Sequence, residues 1–190
     1  MVSLANILMS SVFTIGSTTI GNPNALSDAQ LRDRSAITDV VNSMGTLADL
    51  GQYDRLQQLF TDEVTVDYTS LFPGEVQNIS SEQLMTQWQS TLPGFDATQH
   101  MITNHQITVN GDEATAVAYV RATHKLGNEM WVVLKDTASH MGGYYVDELV
   151  RTDEGWKLKA IQYNALYESG NRSLIEKAAA KVANQNDRDN

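Results

Sequence analysis

The sequence predicts an α+β domain in which helices pack on one face of a curved, mainly antiparallel sheet. Three observations carry this. Apolar residues recur at helical spacing between Ser27 and Leu50, and two β-rich runs flank Asn110-Gly111. The candidate elements also run helix, helix, strand, helix and then four or five strands, without the strand–helix alternation of a parallel α/β sheet. At 190 residues and 42% hydrophobic content, the chain is long enough for one core and short for two.

The first helix is expected over Ser27 to Leu50. Ser27 or Asp28 can cap it, and Ile37, Val40, Val41, Met44, Leu47 and Ala48 form one buried stripe. Asp49 sits at its C-terminal end, where the helix dipole disfavours an anion. Gly51 ends it, and a second helix from Tyr53 to Phe60 turns Leu56 and Leu59 inward. Val64, Val66 and Tyr68 then alternate with Thr65 and Asp67, the pattern of a half-buried strand. Leu71 to Asn78, with Pro73-Gly74, reads as a loop, and Ser80 or Ser81 opens a short helix carrying Leu84, Met85 and Trp88 that Pro93-Gly94 stops.

The central feature is a hairpin, Met101 to Val109 and Ala114 to His124, around Asn110-Gly111. Its register decides whether His100 and His124 share a face. A strict two-residue loop of Asn110 and Gly111 would set His100 opposite Arg121 and split the histidines. A three-residue loop through Asp112, with the extra residue absorbed as a bulge, sets His100 opposite Ala122 and unites them. The second arrangement is preferred, because Ala116, Ala118, Val120 and Ala122 then line a face of small side chains that leaves room for a ligand. Beyond it, Met130 to Leu134 follows a Gly127-Asn128 turn. Tyr144 to Arg151 and Trp156 to Tyr163 form a last hairpin, and Ser173 to Gln185 forms an Ala-rich helix whose polar tail is expected to fray. Three parts follow: a leader over 1–26, a domain over 27–170, and the C-terminal helix and tail over 171–190.

Thirteen basic residues against 23 acidic ones, a net charge of -10, disfavour a nucleic-acid partner. The absence of cysteine removes disulfides, thiol nucleophiles and Cys-based zinc sites. No His-Glu-x-x-His, dinucleotide or phosphate-loop motif occurs, so neither a metal nor an organic cofactor is expected. His100 and His105 lie five apart, which alternation assigns to opposite strand faces. His105 and His140 read as surface or packing residues, and Arg151 as a solvated strand-end charge. Met1 to Gly21 carries no Lys or Arg and is too interrupted by polar residues to span a bilayer. A cytoplasmic chain with a flexible or surface-docked leader is expected, and export through an atypical N-terminal signal is the alternative.

Several short segments occur in a telling order: Ala48-Asp49, Tyr53-Asp54-Arg55-Leu56, Val66-Asp67-Tyr68, Thr98-Gln99-His100, Ala122-Thr123-His124, and Gly143 to Glu148 before Gly155-Trp156-Lys157. Together they resemble the NTF2-like, SnoaL-like superfamily, and within it the scytalone dehydratase-like branch, from about Leu31 to Tyr167. The resemblance implies a cone whose concave sheet encloses a mostly apolar pocket. It also implies that Asp49 pairs with His100, which moves a proton, while His124 and Tyr68 orient a substrate oxygen. Two positions depart from the dehydratase: a tyrosine beside the helix Asp becomes Ala48, and a serine on a later strand becomes Gly143. Gly142 to Glu148 is also similar to a strand of the related dehydrochlorinase.

A neutral histidine suits proton abstraction beside a carbonyl at neutral pH, and a carboxylate on its other nitrogen fixes the tautomer. The expected activity is therefore a cofactor-independent lyase acting on a small apolar cyclic molecule. Isomerisation or cyclisation is the alternative, as is a non-catalytic binding or dimerising module. Met85, Trp88, Phe95, Trp131 and Leu149 are the candidate apolar lining, and a homo-oligomer, dimer or trimer, is expected from the resemblance.

Overall fold

Ser27 caps the first helix in the computed structural model, which describes residues 26–132, 141–168 and 170–189. The Ser27 hydroxyl accepts the Gln30 N–H at 3.3 Å while the Gln30 side chain accepts the Ser27 N–H at 2.8 Å, a reciprocal capping box that starts α1 (Asp28–Asp49). Its stripe of Ile37, Val41, Met44 and Leu47 is buried as the spacing requires. The leader up to residue 25, His140 and residues 133–134 of the third strand candidate lie outside the described residues.

The second helix, α2 (Tyr53–Gln57), is shorter than expected. Phe60 instead opens β1 (Phe60–Asp67), because the last strand of the chain captures this backbone: the Leu158 N–H donates to the Leu59 carbonyl at 2.8 Å and Phe60 pairs with Leu158. Tyr68 lies one residue past the end of β1. Part of the presumed loop that follows is a strand, β2 (Gln77–Ser80), which covers the other edge of β1 with Val64 opposite Ile79. Ser80 then caps α3 (Ser81–Gln89) through a second capping box, and a 3-10 turn over Leu92–Gly94 leads to the sheet.

The long hairpin comprises β3 (Ala97–Asn110) and β4 (Glu113–Leu126), followed by β5 (Glu129–Val132), β6 (Met141–Thr152) and β7 (Gly155–Tyr167). The strand order is β2-β1-β7-β6-β4-β3, with β5 paired to the end of β4; every pairing is antiparallel except β1 with β7. The last helix, α4 (Leu174–Asp189), continues through most of the polar tail expected to fray and buries Leu174 and Ala178. The result is an α+β fold with α1 packed against β3 on the concave side of the sheet.

His100 does lie opposite Ala122, but by a different route from the expected one. The tight turn is Gly111-Asp112, closed by Asn110 opposite Glu113, so that register alone would carry His100 to Thr123. An irregularity between Thr103 and Gln106 restores it: Asn104 and His105 together face Ala118, and Asn104 takes a φ of 58°. This bulge also overturns the alternation argument for His105. Inward positions run Thr98, His100 and Ile102 before the bulge, then His105, Ile107 and Val109 after it, so His100 and His105 share a face.

Arg151 is more than a solvated charge. Its guanidinium makes a bidentate pair with Asp33 on α1 at 2.8 and 2.9 Å, reaches Asp112 in the hairpin turn at 3.0 Å, and stacks 4.4 Å above Trp156. It thus ties the start of α1 to the closed end of the sheet. Among the described residues, no helix is long and apolar enough to cross a membrane.

Candidate active site

Gly45 brings helix and sheet close enough for a site to form. A methyl group there would lie 2.9 Å from the His100 Cβ and 3.1 Å from Ile102 Cδ1, so only a residue without a side chain permits this approach. One helical turn later, Asp49 reaches β3. Its Oδ1 accepts from the Thr98 hydroxyl at 2.8 Å and from His100 Nδ1 at 2.7 Å, while Oδ2 accepts the His100 backbone N–H at 2.7 Å. Thr98 and His100 are alternate residues of one strand face, so a single carboxylate holds both. The expected role of Asp49 did not include Thr98; the signal available was its spacing of two from His100.

Burial pushes the Asp49 carboxyl up, but the hydrogen bonds from His100 and Thr98 and the neighbouring imidazole outweigh it and hold the carboxyl below its usual value. An ionised Asp49 accepts only, so His100 Nδ1 carries its proton and, in the neutral ring, Nε2 carries the lone pair. The pair is half-hidden, with side chains 14% and 16% exposed for His100 and Asp49, and His100 lines the cavity beyond.

His124 stands edge-on to His100, with centroids 5.4 Å apart and planes at 88°, and 4.9 Å from the Phe95 ring. Its burial, then the nearby His100, push its pKa down to about 3 despite the opposing pull of Asp49. It is a neutral ring at physiological pH, able to hydrogen-bond but not to serve as a strong proton donor. Tyr68 also lines the cavity. Burial, reinforced by Asp147, pushes its phenol up, so it too stays neutral.

The cavity measures about 340 Å³, in the range of small-ligand sites. Trp88 and Phe95 line it together with Val66, Leu71 and Leu92. Met85 and Leu149 do not; they are buried in the core beneath it, because inward spacing cannot distinguish core from cavity wall. Trp131 lies in β5 opposite His124, and its side chain lies outside the described part of the structure. Two tyrosines that the sequence reading did not select, Tyr145 and Tyr163, complete the wall. Their signal was alternation: Gly143, Tyr145 and Asp147 share the inner face of β6, and Tyr145 pairs with Tyr163 on β7. Among the described residues, no three metal-ligating side chains come together.

A curved α+β sheet with an Asp–His pair on the wall of an apolar cavity defines a class of small single-domain proteins built around an internal pocket. The chain belongs to the SnoaL-like domain family, whose model matches residues 29–162. It is 28% identical over 136 residues to the uncharacterized protein Rv2910c of Mycobacterium tuberculosis, a match covering 70% of this chain and 85% of that one. The Kfla4162 protein of Kribbella flavida is similar in structure, with a TM-score of 0.66 and 27% identity over 80% of this chain and 98% of that one. The fold also matches hexachlorocyclohexane dehydrochlorinase LinA-type3 of Novosphingobium barchaimii LL02, with a TM-score of 0.60, 20% identity, and 77% and 95% of the two chains covered.

Proposed function

We propose that this protein is a cofactor-independent lyase in which Asp49 and His100 act as an acid/base pair on a small, largely apolar cyclic substrate. The 2.7 Å contact between Asp49 Oδ1 and His100 Nδ1, at the wall of an apolar cavity, carries this reading. It leaves Nε2 as the basic nitrogen on the substrate side. The likeness in fold to a dehydrochlorinase supports elimination as the reaction type.

In the reaction, His100 Nε2 takes a proton from a carbon beside a ring carbonyl. The C–H electron pair becomes the second bond of an alkene as the bond to a β-hydroxyl breaks, and the imidazolium returns its proton to the departing hydroxide, releasing water. Asp49 stabilises the imidazolium while it exists. Tyr68 and His124 donate hydrogen bonds to the oxygen on which charge develops, the phenol through its hydroxyl and the neutral imidazole through its one N–H.

The first step is measurable without knowing the leaving group. Cyclic ketones such as 1-tetralone and 2-tetralone should exchange their α-protons in D₂O under catalysis by the protein, followed by NMR. His100→Ala should remove this exchange, and the turnover of β-hydroxy cyclic ketones to enones, while leaving the circular dichroism spectrum unchanged. Exchange that persists in the variant rules out His100 as the base.

Association through the outer face of the sheet belongs to the same proposal. Met101 and Tyr119 on adjacent strands are about half exposed, at 47% and 55%, an apolar pair that a second copy would cover. Sedimentation equilibrium at micromolar concentration should show a dimer or trimer.

A further inference from the structure

We infer that the hydroxyl of Tyr145 is a further recognition donor of the cavity, giving its hydrogen bond to a carbonyl or hydroxyl oxygen of the ligand beside Tyr68. Two tyrosines line the cavity from adjacent strands, Tyr145 on β6 and Tyr163 on β7, and their hydroxyls differ. That of Tyr163 is closed off and packed against Gly143, where a methyl group would sit 2.9 Å from its oxygen. That of Tyr145 is not enclosed: its oxygen makes no hydrogen bond with a described residue, and the 8% of the residue left exposed opens on the cavity that it lines. An accessible donor set in an otherwise apolar wall is the kind of group that fixes a ligand's orientation.

The surrounding structure holds this donor in place. The Tyr145 ring meets Tyr163 edge-on, with centroids 5.4 Å apart and planes at 61°, and Tyr163 in turn meets Tyr68 at 6.5 Å. The Tyr163 carbonyl accepts the Ser70 hydroxyl, which anchors the strand. Tyr163 is therefore a brace between the two phenols that reach the ligand, and a donor already held in position loses little freedom when a ligand arrives. Burial, then Tyr68, Asp147, Tyr163 and Asp49, push the Tyr145 phenol well up, so it keeps its proton and donates. The Asp49 carboxylate that acts on Tyr145 is also the partner of His100, and His100 lines the same cavity, so phenol and acid/base pair face one ligand.

The arrangement selects a class of ligand. Val66, Leu71, Trp88, Leu92 and Phe95 supply an apolar wall suited to a ring, and Tyr68 and Tyr145 add phenols to it. A carbonyl oxygen carries two lone pairs and accepts from both phenols at once. A hydrocarbon of the same shape must displace water from the hydroxyls and returns no hydrogen bond in its place. The ligand is therefore a ring compound with an oxygen acceptor, and a single such oxygen is enough.

This donor rests on reading the cavity as a small-molecule site, but its test does not depend on turnover. Dissociation constants for 1-tetralone and for tetralin, which lacks the oxygen, are measured by NMR titration on the wild-type chain, on Tyr145→Phe and on Tyr163→Phe. The wild type should prefer the ketone, and Tyr145→Phe should weaken the ketone about tenfold, the worth of one good hydrogen bond, while leaving tetralin within twofold. Tyr163→Phe removes a hydroxyl that does not reach the ligand and should leave both affinities within twofold. The melting temperature of Tyr145→Phe should not fall below that of the wild type, because no bond within the protein is lost. No ketone binding, no preference in the wild type, equal effects of Tyr145→Phe on both ligands, a comparable loss of ketone affinity in Tyr163→Phe, or a lower melting temperature for Tyr145→Phe each overturns the proposal. If the ketone binds through Tyr145 but undergoes no exchange at its α-carbon, the donor stands and the acid/base reading fails. Exchange that proceeds with an unaltered ketone affinity in Tyr145→Phe gives the converse.

Discussion

Two aspartates, Asp49 on α1 and Asp147 on β6, meet opposite fates. Asp49 is partly exposed, accepts three hydrogen bonds and is held ionised; Asp147 is fully buried on β6 between Ala116 and Ile161, and among the described residues neither of its oxygens has a hydrogen-bond partner. Burial alone drives the Asp147 carboxyl well above its usual value, which favours its neutral, protonated form. Burial acts on both residues in the same direction. The hydrogen bonds to Asp49 decide the outcome: they hold one carboxyl as an anion beside a histidine, while the other, without donors, is pushed toward its neutral form.

The largest test of this contrast removes the charge of Asp49 while preserving its shape. Asp49→Asn should lower the rate of α-proton exchange by about 10²- to 10⁴-fold, because Nδ1 of His100 loses its anionic partner and Nε2 its basicity. NMR exchange rates at saturating ketone check this, with circular dichroism confirming the fold.

Asp147→Asn should act on stability. A carboxyl raised in the folded state contributes most below its unfolded value near 3.8, and that contribution is lost as pH rises, by up to about 1.4 kcal/mol per pH unit while the native state alone holds the proton. The substitution should therefore raise the melting temperature more at pH 8 than at pH 4. Equal shifts at both would show that Asp147 is ionised and paired.

His124 supplies the opposite slope. Its folded pKa, down from 6.5 to about 3, means that its contribution is complete above 6.5 and is lost as pH falls toward 3. Below 6.5 the Asp147 slope opposes that of His124 and that of His105, whose burial also lowers its pKa, so Asp147 offsets part of the stability that the two histidines lose on acidification. His124→Phe should remove its share of the acid-side loss, so that the melting temperature of the variant falls less than that of the wild type between pH 6.5 and 4.

The contrast also explains what could be read from the sequence. Asp49, His100, His124 and Tyr68 were legible because they sit in short segments whose order resembles a family. The Ser27 cap and the stripe of α1 were legible because helix signals are local. Asp147 was present in one of those segments, yet nothing in a linear pattern tells whether a carboxyl will find donors. Strand β2 was missed because Gln77, Asn78 and Ser80 have little intrinsic preference for a strand, and pairing with β1 imposes it. Met85 and Leu149 were misplaced because core and cavity wall share one periodicity. The hairpin loop was expected to hold three residues, Asn110 to Asp112, and holds two; a bulge was expected with it, but its place at Asn104 and His105 was not read, although Asn104 is among the few residue types at ease with positive φ.

That bulge has a consequence for how the sequence can vary. Toward the open end, β3 is pinned by Gly45 and by the three bonds from Asp49; toward the turn it is held by Arg151 through Asp112. The doubled residue at Asn104 and His105 lets these two anchorages keep separate registers. A strand without it would transmit any single-residue slip at the turn along its whole length and rotate His100 out of the cavity. With it, the hairpin tip and the Asp49–His100 contact keep separate registers, so a change of length at one end can be absorbed midway without being felt at the other.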